Sequence, residues 1–273
     1  MNTNNNLYTV VYSAIIVVVV AAILAWAAMA LKPKQDANIK AETISQMLDA
    51  AKIQAKGEAA SNDAVLDKYA ETIQAAFTIN AAGEKVKGLS TDRASLELAD
   101  GLKAQNTNLK KGSDVELPVY IFGKDGKKVT VVPVYGAGLW GPVWGYVAFD
   151  EDLKTILGAY FDHESETPGL GAKIKDDPEF RAQFVGKKAD FSAEPVFSVL
   201  KNAAQDNQVD AITGATMTSK GLGAAIGAWL AAYKPYFTAN APKEKCCDRP
   251  DCQCAEGVPC NHEHDHEEMK EEE

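Results

Sequence analysis

The chain has 273 residues, 46% hydrophobic and 24% charged, with 38 acidic against 28 basic side chains and a net charge of −10. That acidity argues against nucleic acid as a partner, and the length leaves room for one sizeable domain or two small ones. No repeat of fixed period is visible.

The stretch Tyr8 to Leu31 carries no charged residue and is packed with Val, Ile, Ala and Leu. As a helix it is about 36 Å long, enough to cross a bilayer with slight tilt. A cleaved signal peptide competes, because Ala25-Trp26-Ala27-Ala28-Met29-Ala30 carries small-residue spacings. The apolar run is longer than a usual signal core, however, and no Lys or Arg precedes it. Residues 1–32 therefore read as an uncleaved transmembrane anchor. Lys32, Lys34 and Lys40 follow it, so charge alone would leave the main domain in the cytoplasm.

Residues 33–80 read as a helical linker region. Ile39, Ile44, Met47, Leu48 and Ala51 fall near helical spacing, a break follows at Gly57 to Asn62, and a second helical run is expected over Val65 to Phe77. No chemistry is assigned to these helices.

Strands follow. Leu117 to Phe122 and Lys128 to Tyr135 are rich in Val, Ile and Tyr, and Lys124-Asp125-Gly126-Lys127 carries the Asp-Gly hairpin signal. Gly136-Ala137-Gly138-Leu139-Trp140-Gly141 literally matches the GxGxxG dinucleotide fingerprint. That fingerprint needs a helix to begin at once, so that its N-terminus can hold pyrophosphate. Here Pro142 to Phe149 reads as another strand, which argues against a Rossmann site. The glycines are expected instead to approach something flat, with Leu139 and Trp140 beside it.

Another strand, Leu157 to Phe161, leads into His163-Glu164-Ser165-Glu166-Thr167-Pro168-Gly169-Leu170-Gly171. Pro-Gly forces a turn, and Leu170 at its tip either docks on the core or serves a site with Glu166 and Thr167. His163 has no metal-ligand spacing around it and reads as a hydrogen-bonded structural histidine. Asp177 followed by Pro178 predicts an N-cap and a helix to Val185.

Val196 to Leu200 reads as a short strand and Gly221 to Tyr233 as a helix. Gly223, Gly227 and Ala231 recur on one helix face, for close packing against a sheet or neighbouring helix. Between strand and helix lies Asp210-Ala211-Ile212-Thr213-Gly214-Ala215-Thr216-Met217-Thr218-Ser219. Thr216 is expected in or just before the first helical turn, where unpaired N–H groups and the helix dipole favour a phosphate. Thr213 is the expected cap, Thr218 lies further into the first turn, and Gly214 and Ala215 keep bulk away from the Thr216 hydroxyl. An ordinary capped helix start is the plain alternative. Yet an Asp-x-x-(Ser/Thr)-Gly-Ala-Thr string arises by chance on the order of once in two thousand chains of this length. It resembles the motif on which FMN is attached to threonine through a phosphoester, and the modified residue would be Thr216.

From Ala239 to Glu273 the chain reads as an acidic, disordered tail. All five cysteines (Cys246, Cys247, Cys252, Cys254, Cys260) lie there with His262, His264 and His266. Their spacing matches no standard zinc finger, and no metal site is assigned.

Taken in order behind one apolar span, GAGLWGPVWGYVAF, FDHESETPGLG and DAITGATMTSKG resemble the NqrC family of the sodium-translocating NADH:quinone reductases, over roughly Leu7 to Tyr236. The resemblance implies an α+β fold: a single transmembrane helix, then a mostly antiparallel-sheet FMN-binding domain with flanking helices over residues 81–238. It implies an inner-membrane protein whose FMN domain faces the periplasm, against the bias of the flanking lysines. FMN would be held covalently on Thr216 and relay electrons between other membrane subunits of the complex, after installation by a flavin transferase that uses FAD. Leu139, Trp140, Glu166, Thr167, Gly169, Leu170, Thr213, Gly214, Ala215 and Thr218 would contact the flavin or shape its pocket. Two alternatives stay open: the related flavin subunit of the RNF ferredoxin:NAD reductases, and a flavin-free membrane-anchored binding module.

Overall fold

A computed structural model describes residues 6–99 and 101–242. The cysteines and histidines of the tail lie outside the described residues. The chain begins with one unbroken helix, α1 (Asn6–Ala50), which runs through Pro33 and joins the expected anchor to the helix beyond it. Its apolar stretch is exposed, and it is long and apolar enough to cross a membrane. From Ala41 onward the same helix turns a stripe of Ala41, Ile44, Met47 and Leu48 into the protein core. Anchor and domain are thus parts of one rod.

Next comes α2 (Asn62–Thr72), capped by Ser61, whose Oγ accepts from the Ala64 N–H at 3.2 Å. The helical pattern expected through Phe77 stops here. Ile73–Ile79 is a strand, β1, paired on both sides in the main sheet. Pairing on both sides, with the β-branched Ile73, Thr78 and Ile79, outweighs the helix propensity of Ala75 and Ala76. The remaining elements are β2 (Lys85–Gly88), α3 (Leu102–Lys111), β3 (Leu117–Lys124), β4 (Lys127–Ala137), β5 (Pro142–Phe149) and β6 (Ile156–His163). After them come α4 (Lys173–Asp176), α5 (Pro178–Ala182), β7 (Ser198–Leu200), β8 (Gln208–Asp210) and α6 (Thr216–Asn240). The helix expected to reach Val185 therefore ends at Ala182.

The main sheet is antiparallel in the order β2-β1-β3-β4-β5-β6, and β7 and β8 form a small parallel pair. The β3–β4 turn has Asp125 at φ 50° and Gly126 at φ 78°, the left-handed pair that an Asp-Gly hairpin needs. This is the expected α+β fold.

Both faces of the sheet are covered, and the strand alternation says by what. Val132, Val134, Val143, Val147 and Phe161 point to the face under α6. Val129, Val131, Tyr146, Ala148 and Tyr160 point to the face under α1 and α2. A strand with both faces buried is apolar throughout, which is why β5 reads as an aromatic and β-branched run.

Helix α6 lies in a cleft between β4 and the small sheet. At Gly221 an added Cβ would collide with the Ala137 carbonyl oxygen, so only glycine allows the approach to β4. On another face Gly223 and Gly227 come close to Val199 and Phe197, the packing their spacing predicts. Trp229, fully buried, donates from Nε1 to Asn106 Oδ1 of α3 at 3.3 Å. Truncating it opens a large cavity at the centre of this packing. Trp229→Ala is expected to destabilise the chain by about 3–5 kcal/mol. Thermal or urea unfolding of the detergent-solubilised protein measures this, and a loss under about 1 kcal/mol contradicts the packing described.

Candidate functional site

Three segments meet at one end of the sheet. The first is the turn between β4 and β5, closed by a hydrogen bond from Gly138 N to Gly141 O at 2.7 Å. The second is the loop that leaves β6 after His163. The third is the start of α6, entered through β8 and a turn in which Gly214 stands at φ 81°.

Glu166 joins all three. Its carboxylate is buried; Oε1 accepts from the Trp140 N–H at 2.9 Å and Oε2 from the Thr218 hydroxyl at 2.6 Å. Its own N–H donates to His163 Nδ1 at 3.1 Å, so His163 is the hydrogen-bonded structural residue its isolation suggests. Ser165 adds a second tie, its hydroxyl donating to the Trp140 carbonyl at 2.9 Å. Gly171 makes the arrangement fit, since any side chain there would overlap the Glu166 carboxylate and the Thr218 hydroxyl.

The GAGLWG glycines do not face an open surface waiting for a flat group. A Cβ at Gly136, Gly138 or Gly141 would strike Ala225, Glu166 or Ser165 respectively. Their smallness serves the close approach of protein to protein. Because β5 starts at Pro142, no helix follows them and the fingerprint match is fortuitous.

At the head of α6 the residue roles separate. Thr216 is the first helical residue and its side chain is exposed. Thr218 and Ser219 are buried; Thr218 is engaged by Glu166, and Ser219 Oγ accepts from Ile212 N at 3.0 Å. Thr213, expected as the cap, is exposed and lies before the helix. The N-cap position falls to Ala215, which makes no side-chain cap bond, so no side chain closes the helix start. The loop end of the site stands over this turn: an added Cβ at Gly214 would lie 3.1 Å from Leu170 Cδ2. Leu170 is held there by the tip 167–171, where the Thr167 carbonyl accepts from Leu170 N and Ala172 N at 3.1 Å each and Gly169 takes φ 74°. It does not dock on the core.

The three segments that meet here carry exposed apolar side chains, Leu139, Trp140, Leu170 and Met217, at 51%, 66%, 44% and 58%. Met217 is the member that sequence reasoning passed over, although it lies inside the motif. Sequence reasoning also missed Asp162, buried at the site end of β6. Its carboxylate accepts from Gln46 Nε2 of α1 at 2.9 Å and pairs with Lys175 of α4 at 2.9 Å. Its partner on α1 lies too far away in sequence to give a local signal. Among the described residues no group of three or more His, Cys, Asp or Glu is placed to hold a metal ion.

An uncapped helix N-terminus offers N–H donors and a positive dipole end to a phosphate. An exposed hydroxyl beside those donors and an apolar rim above them suit a phosphorylated, flat aromatic group.

Such a domain, carried behind a long apolar helix, defines a flavin-binding class. A family model described as the FMN-binding domain matches residues 138–231, from the β4–β5 turn to the middle of α6. The NqrC component of the Na(+)-translocating NADH-quinone reductase of Vibrio parahaemolyticus is 32% identical over 235 residues, covering 76% of this chain and 84% of that protein. Its namesake from Neisseria meningitidis is 33% identical over 231 residues, covering 79% and 86%. Among solved structures, the corresponding reductase component from Parabacteroides distasonis superposes with a TM-score of 0.64 at 35% identity, covering 76% of this chain and 97% of that one. NqrC of Shewanella oneidensis superposes with a TM-score of 0.60 at 26% identity, covering 74% and 98%. The chain belongs to the NqrC family of the Na(+)-translocating NADH-quinone reductases.

Removing the Glu166 carboxylate strands the buried Thr218 hydroxyl and the partly buried Trp140 N–H. Glu166→Ala is expected to cost about 2–4 kcal/mol, while Glu166→Gln, which keeps an acceptor for Trp140 N, loses less than about half of that. Melting temperatures of the two variants test the order. Equal losses would show that the hydrogen bonds to Glu166 do not hold the site.

Proposed function

We propose that this chain is the electron-carrying flavoprotein subunit of a membrane Na(+)-translocating NADH:quinone oxidoreductase, with FMN joined through its phosphate to the Thr216 hydroxyl. The observation that carries the assignment is the sorting of hydroxyls at the start of α6. Thr216 is exposed on the first helical residue, whereas Thr218 and Ser219 are buried and already engaged. Thr213 is exposed too, but it precedes Gly214 and lies off the helix end where the free N–H donors gather.

The residues present fit the group. The uncapped N–H donors of Thr216, Met217 and Thr218 suit the phosphate. Gly214 and Ala215 leave room beside it, and Leu139, Trp140, Leu170 and Met217 border the space for the ring. Glu166 acts from behind by holding the turn, the loop and the helix together, with Thr167 and Gly169 shaping the loop that carries Leu170. Bound FMN supplies one-electron transfer. In this reading the chain relays electrons between partner membrane subunits and does not turn over a substrate alone. A separate flavin transferase drawing on FAD forms the bond from Thr216 Oγ1 to phosphorus as AMP leaves.

Helix α1 makes a single pass through the inner membrane, and the FMN domain faces the periplasm. Family resemblance supports that side against the three lysines after the span, because partner proteins in the complex can overrule so small a bias.

Thr216→Ala is expected to give folded protein without the FMN mass increment and without flavin fluorescence in a denaturing gel. Thr216→Ser keeps a hydroxyl and is expected to retain part of the label. A peptide carrying FMN on Thr213 or Thr218, with Thr216 bare, would falsify the assignment.

The orientation has its own test. Alkaline phosphatase fused after Pro242 is expected to be active in cells, and a reporter that works only in the cytoplasm silent. The reverse pattern places the domain in the cytoplasm.

A further inference from the structure

Helix α6 carries two charged side chains over its 25 residues, Lys220 and Lys234. Lys234 stands toward the C-terminal end, where a cation suits the helix dipole. Lys220 stands in the second turn, close to the positive end, where the dipole disfavours it. No acidic residue in the first turn offsets that. Lys220 is exposed, and among the described residues it makes no hydrogen bond or ion pair. Its side chain borders the groove between α6 and the segment 192–200, unpartnered there. A charge placed against the local field, and not compensated by the fold, points to a functional use.

Its position in the helix says which group it can serve. Thr216 and Lys220 are both exposed residues of α6, four apart. At that spacing two side chains share one helix face, with their Cβ atoms about 5–6 Å apart. Long helical side chains lean back toward the N-terminus, so the Lys220 stem can cover the turn that Thr216 begins. The other threonines of the motif are differently placed. Thr213 precedes the helix, and Thr218 faces inward with its hydroxyl on Glu166. Of the three, Thr216 alone shares its face with Lys220.

We propose that Lys220 supplies the counter-charge for the FMN phosphate, and so directs attachment to Thr216 rather than to Thr213 or Thr218. This rests on the attachment proposed for Thr216. The free N–H groups at the head of α6 donate to the phosphate oxygens, and the Lys220 ammonium meets the remaining negative charge. Lysine suits that task because it binds phosphate as a point charge on a flexible stem. The pairing makes no covalent bond and moves no proton. Its contribution is to hold the phosphate beside the Thr216 hydroxyl.

The test compares the full chain carrying FMN with the FMN-free Thr216→Ala chain, both in detergent. Each is treated with acetic anhydride, and acetylation is read lysine by lysine from peptide masses. Lys220 is expected to react about three- to fivefold more slowly in the loaded chain, the scale of an exposed ion pair. Lys234, at the far end of the same helix, is expected to react equally in both. In a timed loading reaction with purified transferase and FAD, Lys220→Gln is expected to take up FMN about three to five times more slowly. Lys220→Arg is expected to recover most of the rate, and Lys234→Gln to load as the unaltered chain does. Lys220 is exposed, so melting temperatures of these variants are expected to agree and slow loading is told apart from misfolding. Equal acetylation of Lys220 with and without FMN overturns the proposal. So does loading of Lys220→Gln at the full rate, or of Lys220→Arg as slowly as Lys220→Gln. In those outcomes a peptide with FMN on Thr216 leaves the proposed function standing, whereas FMN elsewhere with Thr216 bare ends both.

Discussion

The site depends on one buried carboxylate accepting two hydrogen bonds from chain segments remote in sequence. Glu166 reaches Trp140 N in the β4–β5 turn and the Thr218 hydroxyl in the first turn of α6, 52 residues on. Desolvating a carboxylate is expensive, and short charge-assisted bonds from both sides offset that cost. The result is a geometric lock. With Glu166 in place, the β4–β5 turn and the loop after β6 are fixed beside the helix start that carries the exposed Thr216. Gly138 and Gly171 exist for the same lock, since a side chain at either would displace the carboxylate.

A second buried carboxylate ties this end of the sheet to the anchor. Asp162 accepts from Gln46 on α1, while Lys175 on α4 neutralises it. Further along the helix, Arg181 of α5 pairs with Asp49 at 3.3 Å, with both side chains largely shielded. These contacts fix the inner part of α1 against β6 and its following helices, so the apolar span continues as a rigid extension of the domain. Because α1 passes Asp162 and then Trp144 on its way out, it leaves the fold past the end of the sheet where Thr216 stands. The exit of α1 and the candidate site therefore lie at the same end of the sheet.

Much of this was legible locally. The Val, Ile and Tyr enrichment and the Asp-Gly turn give β3 and β4, the aromatic and β-branched run gives β5, and the TPGLG and TGAT strings give the two turns of the candidate site. What stayed hidden was non-local. Ile73–Ile79 carries no strand signal strong enough to overrule the helical pattern before it, and it becomes β1 because β2 and β3 flank it. The three-residue strands β7 and β8 exist only as each other's partners. Gln46 and Asp162 lie 116 residues apart, and nothing in either neighbourhood announces the other. The glycines of GAGLWG were visible, but what they approach was not, because their neighbours Ala225 and Glu166 come from distant segments. Local chemistry pointed to the candidate site; the long-range bonds that join its three segments appear only with the fold.

The shape of the rim bears on why a covalent link suits this place. A helix N-terminus contributes about 0.3–1 kcal/mol to an anion through its dipole. Holding a free ligand even at micromolar affinity takes about 8 kcal/mol. Leu139, Trp140, Leu170 and Met217, on the segments that meet at the start of α6, are all exposed and form no enclosed pocket among the described residues, and the polar groups nearby are already engaged: Glu166 with two donors, Ser219 with Ile212 N. A deeper, more enclosing pocket would raise affinity, but it would also bury the ring that must meet a partner's cofactor. The proposed attachment through the phosphate would remove this conflict. In the proposed arrangement the bond would retain the cofactor, so the protein surface would be free to stay shallow and open, and the apolar side chains would have only to orient the ring rather than to keep it.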